Sequence, residues 1–160
     1  MISCRFIRIF NIYVNISIDI PIYSIRMTGN RKIYVMDLDE CLIDNTKGKL
    51  YPDVKNILTK LRSGGHLIFL ASFNKRAPEV LKKQKIDHLF HGGAYGFNNS
   101  KHRMIEQIVQ HLRNNKGLFD IGKIEFYDDK LDNISEVTIK SRGKIKAIHV
   151  PNGLSWEHIE

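Results

Sequence analysis

The chain has 160 residues, of which 42% are hydrophobic and 26% charged, and its formal net charge is +8. This length is enough for one buried core and excludes two full domains. The two cysteines, Cys4 and Cys41, form no Cys-x-x-Cys pair, which excludes a disulfide framework and a zinc site built from cysteine alone. This cysteine usage fits a reducing, intracellular compartment, cytoplasmic or nuclear.

The first 29 residues differ from the rest of the chain. From Phe10 to Ile20 every second residue is apolar, a period of two that predicts a half-buried strand. Polar residues and Pro21 interrupt this segment too often for a membrane span, so no membrane partner is expected. We interpret residues 1–29 as an N-terminal extension, either a strand or a leader that activity does not require, and residues 30–160 as the functional domain.

The remaining chain alternates between apolar runs and helical patterns. Short apolar runs predict four buried strands, at residues 33–36, 66–71, 123–127 and 145–150. Apolar residues at helical spacing predict a short helix after Leu131 and three others, at residues 53–63, 77–85 and 101–114. Glycines between residues 86 and 99 indicate turns. The alternation predicts an α/β fold, a Rossmann-like three-layer sandwich with helices on both faces of a mostly parallel sheet.

Polar side chains follow three of the predicted strands at the point where each strand ends. In chain order these are Asp37 and Asp39, then Ser72, then Asp128 and Asp129, with Lys101 opening the helix before the last pair. Because the carboxyl ends of parallel strands meet at one edge of a sheet, we expect these side chains to converge.

The gathered carboxylates predict a metal centre. They repel each other unless a hard cation lies between them, and oxygen-only ligands favour Mg²⁺, so Asp37, Asp39 and Asp128 are candidate ligands. A carboxylate can also attack phosphorus to form an aspartyl-phosphate, provided that the metal and a cation such as Lys101 offset the negative charge. A second carboxylate two residues later can protonate the leaving oxygen, and the Ser72 hydroxyl can hold a phosphoryl oxygen.

The order of these groups resembles the haloacid dehalogenase-like phosphatase superfamily. Asp37-Leu-Asp39-Glu-Cys41 is similar to the first family motif, and the other three motifs are matched by Ser72, Lys101 and Asp128-Asp129. The resemblance covers residues 31–150. It implies that Asp37 is the nucleophile and a Mg²⁺ ligand, and that Asp39 is the acid/base with its backbone carbonyl on the metal. It also implies that Ser72 and Lys101 bind the substrate phosphate, that Asp128 ligates Mg²⁺ directly, and that Asp129 does so through water or more weakly.

Two residues near these motifs have open interpretations. Cys41 stands where the family usually has Thr or Val, and we interpret it as a small apolar group of intermediate size. The alternative, a reactive thiol beside the nucleophile, is disfavoured by the neighbouring carboxylates. Asp132 either faces the site or is a solvated acid at a helix start.

The spacing between motifs bears on the substrate. About a dozen residues separate Asp39 from the next predicted helix, and 28 lie between Ser72 and Lys101, too few for an inserted cap domain. An open, cap-less site suits a bulky substrate, and a phosphoprotein is the partner we expect.

Within the superfamily, the run from Phe126 to Asn133 is most similar to the last motif of eukaryotic-type magnesium-dependent phosphatases. A polynucleotide 3′-phosphatase, whose nucleic-acid partner the positive charge would attract, is one alternative. A non-catalytic phosphate-binding or scaffold protein of the same fold is another.

Overall fold

The computed structural model describes residues 5–9, 12–16, 30–96, 99–116 and 120–159. The four α-helices of these residues are α1 (Val54–Ser63), α2 (Ala77–Lys83), α3 (Lys101–Lys116) and α4 (Leu131–Lys140). The strands are β1 (Arg5–Ile9), β2 (Ile12–Ile16), β3 (Ile33–Met36), β4 (Ile43–Asp44), β5 (Lys49–Leu50), β6 (Leu67–Ser72), β7 (Gly92–Tyr95), β8 (Ile124–Asp128) and β9 (Lys146–His149). Each helix and strand predicted between residues 33 and 150 is present, with ends within two residues of the expected ones.

The main sheet places the ends of three strands side by side. Its strand order is β1-β2-β7-β6-β3-β8-β9, and the five strands from β7 to β9 run parallel. The chain extends the sheet from β3 through β6 to β7, and then returns to place β8 and β9 on the other side of β3. The neighbouring strands β3 and β8 therefore flank a topological switch point, where a crevice forms beyond their carboxyl ends.

Alternating side chains of β3 pack into two separate cores. Tyr34 and Met36 belong to the core that includes the apolar residues of α1 and α2. Ile33 and Val35 belong to the core that includes those of α3 and Val137 of α4. A strand buried on both faces is expected to be apolar throughout, as this one is. The predicted α/β class, the mostly parallel sheet and the three-layer arrangement are confirmed.

The prediction of turns between residues 86 and 99 is wrong for Gly92–Tyr95, which forms β7 beside β6. The glycines there permit close packing. A Cβ atom on Gly93 would lie 2.7 Å from the carbonyl oxygen of Leu70 and 2.8 Å from the Tyr95 ring. Only glycine fits such a close approach of two strands, so its strand role is hidden from a pattern of residue types.

The N-terminal part of the sheet is an antiparallel hairpin. Of the predicted strand from Phe10 to Ile20, residues 12–16 form β2, which pairs with β7, while residues 10–11 and 17–20 lie outside the described residues. Strand β1 was not predicted. The division into an extension at 1–29 and a domain at 30–160 stays a prediction.

A cap domain would be inserted either after Asp39 or between Ser72 and Lys101, and both segments instead form small elements. Residues 40–53 include β4 and β5, which pair as a two-stranded sheet. Residues 73–96 form α2, a short 3₁₀ helix at Asp87–Leu89 and β7. In the part of the chain that the structure describes, neither segment adds a separate domain. No helix there has the length and apolar character needed to cross a membrane.

Candidate active site

A buried lysine lies at the centre of the switch point. Lys101 is the first residue of α3, and only 1% of its surface is exposed. Its Nζ donates hydrogen bonds to Asp37 Oδ1 and to the carbonyl oxygen of Ala71, both at 2.6 Å, and lies 3.4 Å from Asp128 Oδ2. Burying an ammonium is costly unless acceptors surround it, and here the ends of β3, β6 and β8 each supply one.

The Phe73 ring lies beside this ammonium. Its centroid is 4.6 Å from Lys101 Nζ, a distance at which the face of an aromatic ring attracts a cation. Phe73 directly follows β6, so the end of this strand supplies the Ala71 carbonyl to the ammonium and the next residue but one supplies the aromatic ring.

Three carboxylates form a compact cluster at the same edge. Asp37, Asp128 and Asp129 each offer an oxygen within 4.8 Å of the others. Asp128 is fully buried and accepts hydrogen bonds from the Asn133 side-chain amide, at 3.0 Å to each oxygen, and from the backbone N–H of Lys130 at 2.9 Å. This arrangement brings together three of the four predicted metal ligands.

Asp129 shows that this cluster fits a divalent cation. Its Oδ1 is buried and has no hydrogen-bond partner among the described residues. Burial, together with the charge of Asp128, raises the pKa of Asp129. An unpaired carboxylate oxygen next to two other carboxylates is the environment that a hard, oxygen-preferring ion such as Mg²⁺ would satisfy.

The Asp37 carboxyl has an unusual affinity for protons. Burial raises its pKa from 3.8 to about 6, since the favourable charge of Lys101 offsets only part of that effect and Asp128 adds to it. A pKa near neutrality on a crevice carboxyl is typical of functional sites. Without a metal ion, ionisation of Asp37 therefore lowers the stability of the folded protein.

This cost predicts a pH dependence of the metal-free protein. The folded protein binds the Asp37 proton more tightly than the unfolded chain does. The free energy of unfolding therefore falls by on the order of 3 kcal/mol as the pH rises from 3.8 to about 6. Asp37→Asn removes that loss, so urea unfolding in EDTA should show the variant gaining stability relative to the parent between pH 4.5 and pH 7.5. An equal difference in unfolding free energy at both pH values would contradict the assignment.

The other two predicted site residues lie beside the loop after β6. Ser72 is fully buried, and its Oγ accepts a hydrogen bond from the backbone N–H of Asn74 at 3.1 Å. The Asn74 side-chain amide lies 3.4 Å from Asp39 Oδ2. The Asp39 carboxylate is thus turned towards this loop and is not part of the carboxylate cluster, while the metal contact implied for its backbone carbonyl stays a prediction.

Sequence patterns did not assign two polar contacts of the site, those made by Asn74 and Asn133. Asn74 is two residues after Ser72, and Asn133 is five after Asp128, in the first turn of α4. The short spacing of Asn133 from Asp128 could have indicated its contact, whereas Asn74 contacts Asp39 from 35 residues away, which no local spacing indicates. Asp132, by contrast, is exposed to solvent, in agreement with a solvated acid at a helix start.

Cys41 fills a core position. It is fully buried, and its Sγ lies 3.8 Å from the carbonyl oxygen of Tyr127. Burial, with the charges of Asp37 and Asp128, raises the pKa of the thiol well above its usual value. The thiol therefore stays protonated, which supports the interpretation of Cys41 as a small packing group.

The fold and this edge define a class of protein: a doubly wound α/β domain with a lysine and a carboxylate cluster at its switch point. No protein-family model matches the chain, and no curated protein matches it in sequence. Solved structures do match it at low sequence identity, and their structural likeness shows the fold.

A haloacid dehalogenase-like family hydrolase of Streptococcus pneumoniae superimposes with a TM-score of 0.61 at 13% identity, over 75% of this chain and 84% of that one. A proposed phosphatase from Clostridium difficile gives 0.63 at 20%, over 82% and 91%. The N-terminal part of protein BF1531 from Bacteroides fragilis, which contains a phosphatase domain and is complexed with Mg, gives 0.59 at 16%, over 79% and 38%. The chain has the haloacid dehalogenase-like fold, as its motifs predicted.

Proposed function

We propose that the chain is a magnesium-dependent phosphatase that hydrolyses phosphate monoesters through an aspartyl-phosphate on Asp37. The observation that carries this proposal is the buried Lys101 ammonium, bonded to Asp37 and adjacent to Asp128 in a carboxylate cluster. A cation and a metal site around one carboxylate are what attack on a phosphate dianion requires. The names of the matching structures, which include phosphatases and one Mg complex, support the same chemistry.

The residues divide the reaction between them. Asp37, Asp128 and Asp129 would hold Mg²⁺, with Asp39 adding its backbone carbonyl, and the ion would offset the charge of the phosphate. An Asp37 oxygen forms a bond to phosphorus while the bond to the leaving oxygen breaks, and Asp39 gives that oxygen its proton. Asp39 then takes a proton from water, which attacks phosphorus, releases phosphate and restores the Asp37 carboxylate.

Lys101 and Ser72 would bind the phosphoryl group. The Lys101 ammonium already contacts the attacking carboxylate at 2.6 Å, so a phosphoryl oxygen placed against Asp37 would lie near the same charge. Ser72 uses its oxygen as an acceptor from Asn74, which leaves its hydroxyl hydrogen for a phosphoryl oxygen. The contact of Asn74 with Asp39 would keep the acid on the side of the leaving group.

We propose a bulky substrate, a phosphoprotein, acting in an intracellular compartment. The described residues include no inserted domain that would cover the carboxyl edge of the sheet, which supports a bulky substrate. Two apolar side chains follow the site strands and are exposed, Phe73 to 38% and Leu131 to 61%. We propose that these side chains contact the polypeptide on either side of the phosphate.

Purified full-length chain with MgCl₂ and a panel of phosphomonoesters tests the proposal. We expect turnover of p-nitrophenyl phosphate and of a phosphopeptide, loss of turnover in EDTA, and its return when Mg²⁺ is restored. No turnover of any phosphomonoester with Mg²⁺ would contradict a phosphatase. Binding of magnesium and beryllofluoride without turnover would instead favour the scaffold protein.

A polynucleotide 3′-phosphatase is the second candidate, and the net charge of +8 favours it. A 3′-phosphorylated oligonucleotide compared with the phosphopeptide at equal concentrations separates the two. A higher kcat/KM for the oligonucleotide, with binding that weakens steeply as salt rises, would replace the phosphoprotein proposal with this one.

A further inference from the structure

Glu136, on α4, holds the beginning of α3. Its Oε1 accepts a hydrogen bond from the Ser100 hydroxyl, and its Oε2 accepts one from the backbone N–H of Lys101 at 3.1 Å. The first N–H groups of a helix have no partner within the helix, and a negative charge there is favourable. A carboxylate from a different helix therefore supplies part of the N-terminal cap of α3.

The residue whose backbone Glu136 holds is the one that carries the central ammonium. The side chain of Lys101 is fixed at its far end by Asp37 and by the Ala71 carbonyl, both at 2.6 Å from Nζ. Glu136 fixes the near end. A long, flexible side chain held at both ends loses the freedom that would otherwise let its charge move away from the reacting group.

The contact also joins the two halves of the site. Helix α4 begins at Leu131, two residues after Asp129, so Glu136 belongs to the element that follows the metal-side carboxylates. Helix α3 carries the phosphate-side lysine. Glu136 adds a polar contact to the apolar packing of α3 against Val137, and it joins α4 to the residue that carries the ammonium.

We propose that Glu136 is a positioning residue whose carboxylate places Lys101 for phosphate binding and transfer. This inference rests on the proposed function for its kinetic consequences and on the geometry of α3 and α4 for its mechanism.

The charge state of Glu136 agrees with this role. Although burial acts in the opposite direction, hydrogen bonds from Lys140 and Ser100 lower the pKa of its carboxyl. Lys140 Nζ lies 2.7 Å from Oε1 on the half-exposed side of α4. The carboxylate therefore stays ionised over the pH range in which a phosphatase assay is run.

A purely local cap would not need Glu136. The Ser100 Oγ already accepts the backbone N–H of Arg103 at 3.2 Å, which is the usual arrangement of a serine N-cap. What Glu136 adds is a partner for the Lys101 N–H itself. Loss of that partner is expected to displace the lysine by a fraction of an ångström to an ångström, and such displacements can reduce rates by up to about a hundredfold.

Three variants of the full chain test the proposal: Glu136→Ala, Glu136→Gln and Lys140→Ala. We expect Glu136→Ala to lower kcat/KM for p-nitrophenyl phosphate roughly 10- to 100-fold. We expect it to weaken binding of inorganic phosphate to the magnesium-loaded protein, measured by calorimetry, and to leave magnesium affinity within about twofold of the parent. Glu136→Gln keeps the size of the side chain and one acceptor oxygen, so its kcat/KM should lie between those of Glu136→Ala and the parent. Lys140→Ala removes only the solvent-side partner of Glu136, so its kcat/KM should match that of the parent.

A double-variant cycle with Lys101→Met separates positioning from general stability. If Glu136 acts through Lys101, adding Glu136→Ala to Lys101→Met should change phosphate binding by less than about twofold. An additive loss, or parental kcat/KM and phosphate binding in folded Glu136→Gln and Glu136→Ala, would overturn the proposal. Thermal unfolding and circular dichroism identify the folded variants, and Glu136→Gln keeps the test valid if Glu136→Ala does not fold.

The phosphate-binding measurement also distinguishes this inference from the proposed function. If the parent chain binds phosphate with Mg²⁺ but shows no turnover, the phosphatase proposal fails while the coupling of Glu136 to Lys101 is still measured. If the parent turns over and the cycle is additive, the inference fails and the phosphatase proposal stands.

Discussion

Asp37→Asn is expected to reduce phosphatase turnover by roughly a thousandfold or more, since an amide does not attack phosphorus as a carboxylate does. The substitution keeps the shape of the side chain, and its amide oxygen can still accept the hydrogen bond that Lys101 Nζ donates at 2.6 Å in the parent. It also removes one carboxylate of the cluster, so magnesium affinity should fall. Both effects act on the same chemical step.

Covalent trapping gives the most direct measurement of this effect. Acid quenching of the parent during turnover of a ³²P-labelled substrate should leave protein-bound phosphate that hydroxylamine releases, as an acyl phosphate requires. Asp37→Asn should carry none. Retention of label, or of more than about a tenth of parental kcat, would exclude Asp37 as the nucleophile.

Asp53→Asn is the matched control. Asp53 precedes α1, where its side chain makes no capping hydrogen bond, and it lies outside the carboxylate cluster. We therefore expect its kcat and its labelling to equal those of the parent. A loss as large as that of Asp37→Asn would point to a general effect of removing charge from this protein.

The part of the site that the sequence predicts best is the part fixed by strand ends. Asp37, Ser72 and Asp128 each end or follow a buried apolar run, and parallel topology brings such ends to one edge whatever the details of packing. Lys101 was predictable for a similar reason, because the start of α3 lies at the same edge. Local pattern and sheet geometry together determine these four positions.

The less predictable features depend on how elements pack or turn. Glu136 reaches Lys101 only because α3 and α4 lie side by side, a relation that no residue spacing encodes. The Asp39 carboxylate lies outside the cluster that we expected it to join, next to Glu40, whose φ of 58° is left-handed. A residue with a side chain rarely adopts that conformation, so the change of chain direction after Asp39 was not evident from residue types.

Lys101→Met is expected to impair both stability and catalysis. The parent buries an ammonium against Asp37 and Asp128, and removing one partner of a buried ion pair typically costs about 3–5 kcal/mol because the remaining charges are left uncompensated. Without metal, the pKa of Asp37 should rise further, since Lys101 is the charge that lowers it. Turnover should fall roughly 100- to 1,000-fold, because the transferring phosphoryl group loses its cation.

Magnesium separates the two roles of this lysine. A divalent cation bound to the carboxylates compensates the charges that Lys101→Met leaves behind, so urea unfolding should show a smaller loss of stability with Mg²⁺ than in EDTA. Activity should stay low in both conditions, since the ion cannot replace a donor on the phosphate side. The separate variant Lys101→Arg should also have low activity, because a planar guanidinium does not fit the enclosed space that the ammonium occupies.

The exposed Lys55 of α1 provides the control, as Lys55→Met removes the same charge from a solvated position. It should leave stability within about 0.5 kcal/mol of the parent and turnover unchanged. An equal loss of stability for Lys101→Met with and without Mg²⁺ would mean that the ion does not bind next to Asp37 and Asp128. That result would contradict the magnesium site, whereas a smaller loss with Mg²⁺ places the ion and the lysine on the same carboxylates.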